Sequence, residues 1–194
     1  MKKNIPQSVP SVEQLSRELN RIQYKSRFRN IFKSTLYTLI TVAAIAVLVA
    51  TLWLPVLQIY GNSMTPTLHN GDILFTVKTS KLERGDIVAF YYNNKILVKR
   101  LICGPGDWFN MDQDGTIYVN SVKIEEPYIQ EPAFGETNIQ LPYQVPDEKV
   151  FVVGDHRSTS VDSRNTAVGC VAEEQIVGKI VFRIWPIRQF GPIN

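Results

Sequence analysis

The chain has 194 residues, a length that suits one compact domain plus an additional segment. Hydrophobic residues make up 44% of it, which excludes a disordered chain. The net charge of +3 is uneven: residues 1–33 hold eight Lys/Arg against two Asp/Glu, and the other 161 residues hold 13 basic and 16 acidic side chains. The body of the chain therefore lacks the clustered Lys and Arg of a nucleic-acid footprint, and no nucleic-acid partner is expected.

Ser11-Val12-Glu13-Gln14 reads as a capping box, after which Val12, Leu15, Leu19 and Ile22 recur at helical spacing. Two readings fit this stretch. One is a short amphipathic helix at the membrane face, with Arg17, Arg21 and Lys25 near anionic lipid; the other is a frayed tail. From Ser34 to Gly71 there is no Asp, Glu, Lys or Arg. The apolar heart, Leu36–Leu57, is 22 residues long. As a helix it spans ~33 Å, enough for a bilayer core of ~30 Å. A buried core helix would not need apolar residues all round, nor the basic flank of Lys25, Arg27, Arg29 and Lys33. Tyr37 and Trp53 near its ends fit interfacial belts. QIYGNSM follows the run in place of a small-x-small cleavage site, so an uncleaved anchor is expected. The positive-inside rule keeps the basic segment in the cytoplasm and puts the rest outside. The expected division is a cytoplasmic basic segment over 1–33, a single transmembrane helix over 34–57, and an extracytoplasmic domain over 58–194.

Beyond the anchor the pattern is β. Ile73–Val77 follows an Asn70-Gly71 turn, and Ile87–Tyr92 and Ile96–Ile102 are joined by polar Asn93-Asn94-Lys95 as a hairpin. Short strands are predicted over Ile117–Val119 and Val122–Ile124. Residues 125–147, with four prolines, read as an irregular excursion. Lys149–Val153 and Ile176–Ile184 are the last predicted strands. The fold class expected is mostly β, an antiparallel sheet domain behind one N-terminal transmembrane helix.

Three segments carry chemistry. In Gly61-Asn62-Ser63-Met64-Thr65-Pro66-Thr67-Leu68, a serine sits between a glycine and a proline-stiffened turn, with only five residues between it and Leu57. Most such serines are only turn formers. In Ile96–Ile102, strand alternation puts Lys99 on the face of Leu97 and Leu101, away from Arg100. Burial there would lower its pKa from ~10.4 toward 7 and make it a base; the commoner case is a snorkelling edge lysine. Gly154-Asp155-His156-Arg157-Ser158-Thr159-Ser160-Val161-Asp162-Ser163-Arg164 follows a strand and reads as a hydrogen-bonded scaffold loop or an exposed polar turn.

Together these segments resemble signal peptidase I. A Ser-Met-x-Pro-Thr-Leu box is met by Ser63 to Leu68, and a Lys-Arg box followed by Pro-Gly-Asp is met by Lys99-Arg100 and Pro105-Gly106-Asp107. A Gly-Asp-Asn-Arg-x-x-Ser-x-Asp-Ser-Arg box is met at Gly154, Asp155, Arg157, Ser160, Asp162, Ser163 and Arg164. The resemblance runs from the anchor to about Trp185. It implies a serine endopeptidase that removes signal peptides from secreted preproteins after small-x-small sites, with Ser63 as nucleophile and Lys99 as general base. It further implies that Ser160 orients the lysine amine, that Asp162 and Arg164 form a bracing ion pair, and that Gly154 packs close behind the site. Met64 and Val98, flanking the two residues, are candidate walls of the substrate pockets. No metal or organic cofactor is required. Expected partners are preprotein signal peptides, the lipid bilayer and the secretion translocon. The competing readings are a signal-peptidase-like assembly factor for surface polymers such as pili, and a self-cleaving Ser-Lys protease. Three positions depart from the pattern: His156 replaces an asparagine, Cys103-Gly104 replaces Gly-Leu, and Gly61 stands where some members carry an oxyanion-hole serine. The pairing of Cys103 with Cys170 and the role of His156 are left open by the sequence; a zinc site from these cysteines, His69 and His156 has poor spacing.

Overall fold

A computed structural model describes residues 11–53, 56–79 and 81–193. The first ten residues of the basic segment and the Trp53 ring expected at a membrane interface lie outside that description. The chain divides after Leu52 into two compact units.

The first unit is one helix, α1 (Val12–Trp53), of 42 residues. Its capping box forms: Gln14 N–H donates to Ser11 Oγ at 3.3 Å and Ser11 N–H donates to Gln14 Oε1 at 3.1 Å. The stretch expected as a separate amphipathic helix or a frayed tail is instead continuous with the apolar run. The reason is in the sequence, which has no Gly or Pro from Ser11 to Leu54. At ~1.5 Å per residue α1 is ~63 Å long, about twice a bilayer core. Part of it is long and apolar enough to cross a membrane. The hydroxyls of Thr35, Thr38 and Thr41 donate to the carbonyls of Ile31, Ser34 and Tyr37 at 2.9–3.0 Å. Their polar groups are thus satisfied without water, as a hydrocarbon setting requires. The anchor ends earlier than its apolar composition suggests. The helix stops at Trp53, ahead of Pro55, and Val56 and Leu57 belong to a strand.

The second unit is β. Its strands are β1 (Val56–Gln58), β2 (Ile73–Val77), β3 (Ile87–Tyr92), β4 (Lys95–Cys103), β5 (Trp108–Met111) and β6 (Ile117–Val119), then β7 (Val122–Lys123), β8 (Tyr143–Gln144), β9 (Lys149–Val153), β10 (Val171–Ala172), β11 (Ile176–Trp185) and β12 (Gly191–Pro192). The larger sheet runs β1-β2-β11-β3-β4-β9-β10, with β12 also on β11; the smaller runs β7-β6-β5-β8. Every pairing is antiparallel. The β3–β4 hairpin closes through Asn93 and Asn94, both at positive φ, the twist a two-residue turn needs.

Residues from both sheets meet in one core of Ile102, Phe109, Met111, Ile117, Phe151 and Val153, where the Phe109 and Phe151 rings stack at 4.2 Å. Two further clusters lie on opposite faces of β3–β4. Ile87 joins Ile59, Met64, Leu68 and Leu74, with Val98 packed against them. Val88, Phe90, Leu101 and Val152 form the other, with Leu97 at its margin.

Candidate active site

The turn holding Ser63 is fixed at both ends. Gly61, at φ +93°, donates its N–H to Asn70 Oδ1 at 3.0 Å. Met64 and Leu68, 2% and 0% exposed, plug the turn into the core beneath it. Leu68 N–H donates to the Met64 carbonyl at 2.8 Å, and Thr65 N–H to the Asn62 carbonyl at 3.1 Å. Ser63 is left half-buried at the rim of a cleft of about 620 Å³. Leu57, Ile59, Met64, Ile96 and Val98 give that cleft an apolar lining. Both residues proposed from sequence as pocket walls, Met64 and Val98, therefore line it beside Ser63.

Lys99 lies on β4 opposite Val88, on the face that carries Leu101 and Leu97, and is 3% exposed. Its ammonium group has no hydrogen-bond or ion-pair partner among the described residues. Burial pushes its pKa down from 10.5 to about 8. The Asp162 and Asp155 carboxylates oppose that shift and Arg164 supports it, so it stops short of the neutral value expected from burial alone.

Gly154 explains how the three segments converge. Arg100 pairs with Val153 across β4–β9, so one step further along that register Gly154 stands opposite Lys99. A Cβ at Gly154, on the face Lys99 uses, would sit 2.5 Å from the Ser63 carbonyl oxygen and closer still to Ser160 Oγ. Only glycine fits that approach. Ser160 is 1% exposed, and its hydroxyl lies beside the Asp162 carboxylate, whose charged form it favours. The point opposite the lysine is thus shared by the Ser63 main chain and a buried hydroxyl.

The loop presenting Ser160 is braced from inside. Asp162 accepts from Gly154 N–H at 3.0 Å and from Arg164 Nε and Nη2 at 2.9 Å each, with both side chains fully buried. Burial alone would raise the Asp162 carboxyl, but the Arg164 hydrogen bonds and charge, with the Gly154 N–H, hold it below the ordinary range. Arg164 also donates to the carbonyls of Phe134 and Arg157, pinning the irregular excursion to the loop.

Sequence reasoning did not single out a second buried pair. Arg100 Nε and Nη2 donate to Asp155 at 3.0 and 2.8 Å, and Asp155 accepts from Thr67 Oγ1 at 2.5 Å. The Arg100 guanidinium lies 3.8 Å from the Tyr128 ring centroid. Each member of this network belongs to one of the three boxes or to the excursion, and only membership in a box hinted at it. Arg157 pairs likewise with Glu126 at 2.5 Å.

His156 meets Ser63 through the backbone: its N–H donates to the Ser63 carbonyl at 3.1 Å, and its Nδ1 is engaged with Thr159 Oγ1. Cys103 is paired with Phe151 from β4, and Cys170 precedes the Val171–Val150 pair from β10. Strand β9 therefore runs between the cysteines, which places them ~10 Å apart, beyond the reach of a disulfide. Both are free. Burial pushes the Cys103 thiol up to about 12. His69 and His156 line a separate pocket at the Ser63 turn, so the four side chains do not form one cluster.

Residues 32–185 match the family described as signal peptidase, peptidase S26. The chain belongs to this family. Signal peptidase I T of Bacillus subtilis (strain 168) is 39% identical over 142 residues, 66% of this chain and 72% of that protein. Signal peptidase IB of Staphylococcus aureus (strain N315) is 39% identical over 152 residues, 68% of this chain and 78% of that protein. A crystal structure of a signal peptidase I from Enterococcus faecalis V583 is 30% identical with a TM-score of 0.42, covering 52% of this chain and 97% of that one. As a member of the signal peptidase family the chain is a serine endopeptidase with a mostly β catalytic domain. The reading as a surface-polymer assembly factor is not favoured by relatives named as peptidases.

Proposed function

We propose that this chain is a membrane-anchored signal peptidase I in which Ser63 and Lys99 form the catalytic dyad. The supporting observation is the crossing point at Gly154, where the Ser63 main chain and the Ser160 hydroxyl meet opposite a buried lysine without a counterion. Neutral Lys99 accepts the Ser63 hydroxyl proton, and Ser63 Oγ attacks the carbonyl carbon at the end of the signal peptide. The Ser63 N–H, which has no acceptor among the described residues, donates to the oxyanion. Gly61 supplies no hydroxyl there, so main chain serves. The lysine ammonium returns its proton to the leaving amine, and the mature chain departs. Neutral Lys99 then activates a water that hydrolyses the acyl ester. Ser160 orients the amine, and the Asp162–Arg164 pair holds Ser160 in place.

The substrate binds extended along β4, with small side chains directed at the walls formed by Met64 and Val98. Its free edge is available: Lys95–Val98 pairs with β3 on one side and has no strand on the other among the described residues. In this reading the basic N-terminal segment is cytoplasmic, the catalytic domain is extracytoplasmic, and lipid and the secretion translocon are partners.

The test is cleavage of a preprotein carrying an Ala-x-Ala site by the detergent-solubilised chain. Native protein should release the mature product, and Ser63→Ala and Lys99→Ala should each lose at least about a thousandfold in rate. Retained activity in Lys99→Ala removes the dyad.

A further inference from the structure

We propose that the polar pocket beside the nucleophile turn receives a side chain of the mature protein, just downstream of the cleaved bond, and favours a basic residue there over an acidic one. The proposal rests on the signal-peptidase reading and extends it to the other side of the scissile bond.

The half-paired state of β4 carries the argument. An extended substrate can add to the free edge of Lys95–Val98, but from Arg100 onward β9 occupies that edge. The Gly154–His156 corner, where β9 ends, stands directly in line with the incoming strand. Chain beyond the scissile bond therefore cannot continue along β4. It has to leave the sheet over this corner.

A pocket of about 280 Å³ opens at the corner, lined by Thr65, Pro66, His69, Glu131, Asp155 and His156. One hydrogen bond connects it to the reacting residue, since His156 N–H donates to the Ser63 carbonyl. Its chemistry is opposite to that of the cleft on the other side of Ser63. Apolar side chains line the cleft, as an apolar signal peptide requires; imidazoles and carboxylates line the pocket, as the polar start of a soluble chain permits. The carboxylate of Asp155 is committed to Arg100 and Thr67. Glu131 is exposed and has no ion-pair or hydrogen-bond partner among the described residues, so it sets the sign of the pocket.

The experiment uses the full-length chain in detergent and peptides sharing one Ala-x-Ala signal side. Lys, Gln or Glu is placed in turn at the second, third and fourth positions after the cleaved bond, and kcat/KM is measured for each. Native protein should prefer Lys over Glu at one of these positions by about two- to fivefold, the size of a partly exposed ion pair, with the preference shrinking at high salt. Glu131→Lys should invert the Lys/Glu ratio at that same position while leaving the Ala-over-Leu preference at the last signal residue as it was. An identical Lys/Glu ratio in native and Glu131→Lys protein overturns the pocket assignment alone. No cleavage of any of these peptides by native protein sinks the signal-peptidase reading, and the pocket assignment with it.

Discussion

Lys99 and Arg100 are neighbours on one strand, equally buried, and treated in opposite ways. Arg100 is gripped by Asp155 through two hydrogen bonds and lies against Tyr128; Lys99 receives no hydrogen-bond or ion-pair partner among the described residues. Burial is common to both, so burial does not by itself make a base. What separates them is the allocation of acids. Three buried arginines each take one carboxylate: Arg100 takes Asp155, Arg157 takes Glu126 and Arg164 takes Asp162. The carboxylates that act on the lysine, Asp162 and Asp155, are thereby committed to arginines; they favour its charge from a distance, but desolvation outweighs them.

Breaking this contrast from the lysine side should give the largest effect. Lys99→Met should abolish cleavage, by about a thousandfold or more, while the fold becomes more tolerant of neutral pH. The sign follows from linkage. The folded pKa of about 8 lies below the unfolded 10.5, so the unfolded chain binds more protons between them. Native stability should therefore rise with pH across that window relative to Lys99→Met, by up to about 3 kcal/mol, as denaturant melts at stepped pH would record. Equal pH slopes in the two proteins would show that Lys99 is not buried unpaired.

Breaking it from the arginine side should be next in size. Arg164→Met strands a buried carboxylate and should destabilise the domain by about 3–5 kcal/mol, whereas Asp162→Leu/Arg164→Met should recover much of that loss. In the single variant Asp162 is released toward Lys99, so residual activity should shift to higher pH. Gly154→Ala tests the crossing point itself. Its methyl group would overlap the Ser63 carbonyl and Ser160 Oγ, a strain of about 1–3 kcal/mol in the melt. Its activity loss should exceed anything the melt predicts, because the displaced atoms belong to Ser63 and to Ser160, the residues proposed to attack and to orient the amine. The mildest test changes no residue. The kcat/KM of native protein should climb about tenfold per pH unit below 8 and level off above it, as the amine loses its proton.

Much of this was legible in the sequence, for physical reasons that differ by element. Ile73–Val77, Ile87–Tyr92, Ile117–Val119 and Lys149–Val153 announce themselves through β-branched and aromatic runs between turn residues, and they are strands with those bounds. Trp108–Met111 was missed because Asn110 dilutes a short apolar run, and Tyr143–Gln144 because it sits among prolines. Both are held by pairing with each other rather than by local propensity. At the site, alternation along β4 correctly sent Lys99 and Arg100 to opposite faces. The destinations of the arginines were not legible. Arg157–Glu126 and Arg164–Phe134 join residues some thirty positions apart through an excursion that has no periodic pattern to read.

The placing of Phe151 between the two cysteines has a consequence for how the chain must mature. In the finished domain β9 lies between β4 and β10 and keeps the thiols apart, whereas an unfolded chain has no such barrier. In an oxidising compartment, a chain whose β4 and β10 segments met first could tie Cys103 to Cys170. That bond would close the slot β9 has to enter. The native protein is thus protected from this bond by β9 itself, and refolding under oxidant should give a lower yield than refolding under reductant.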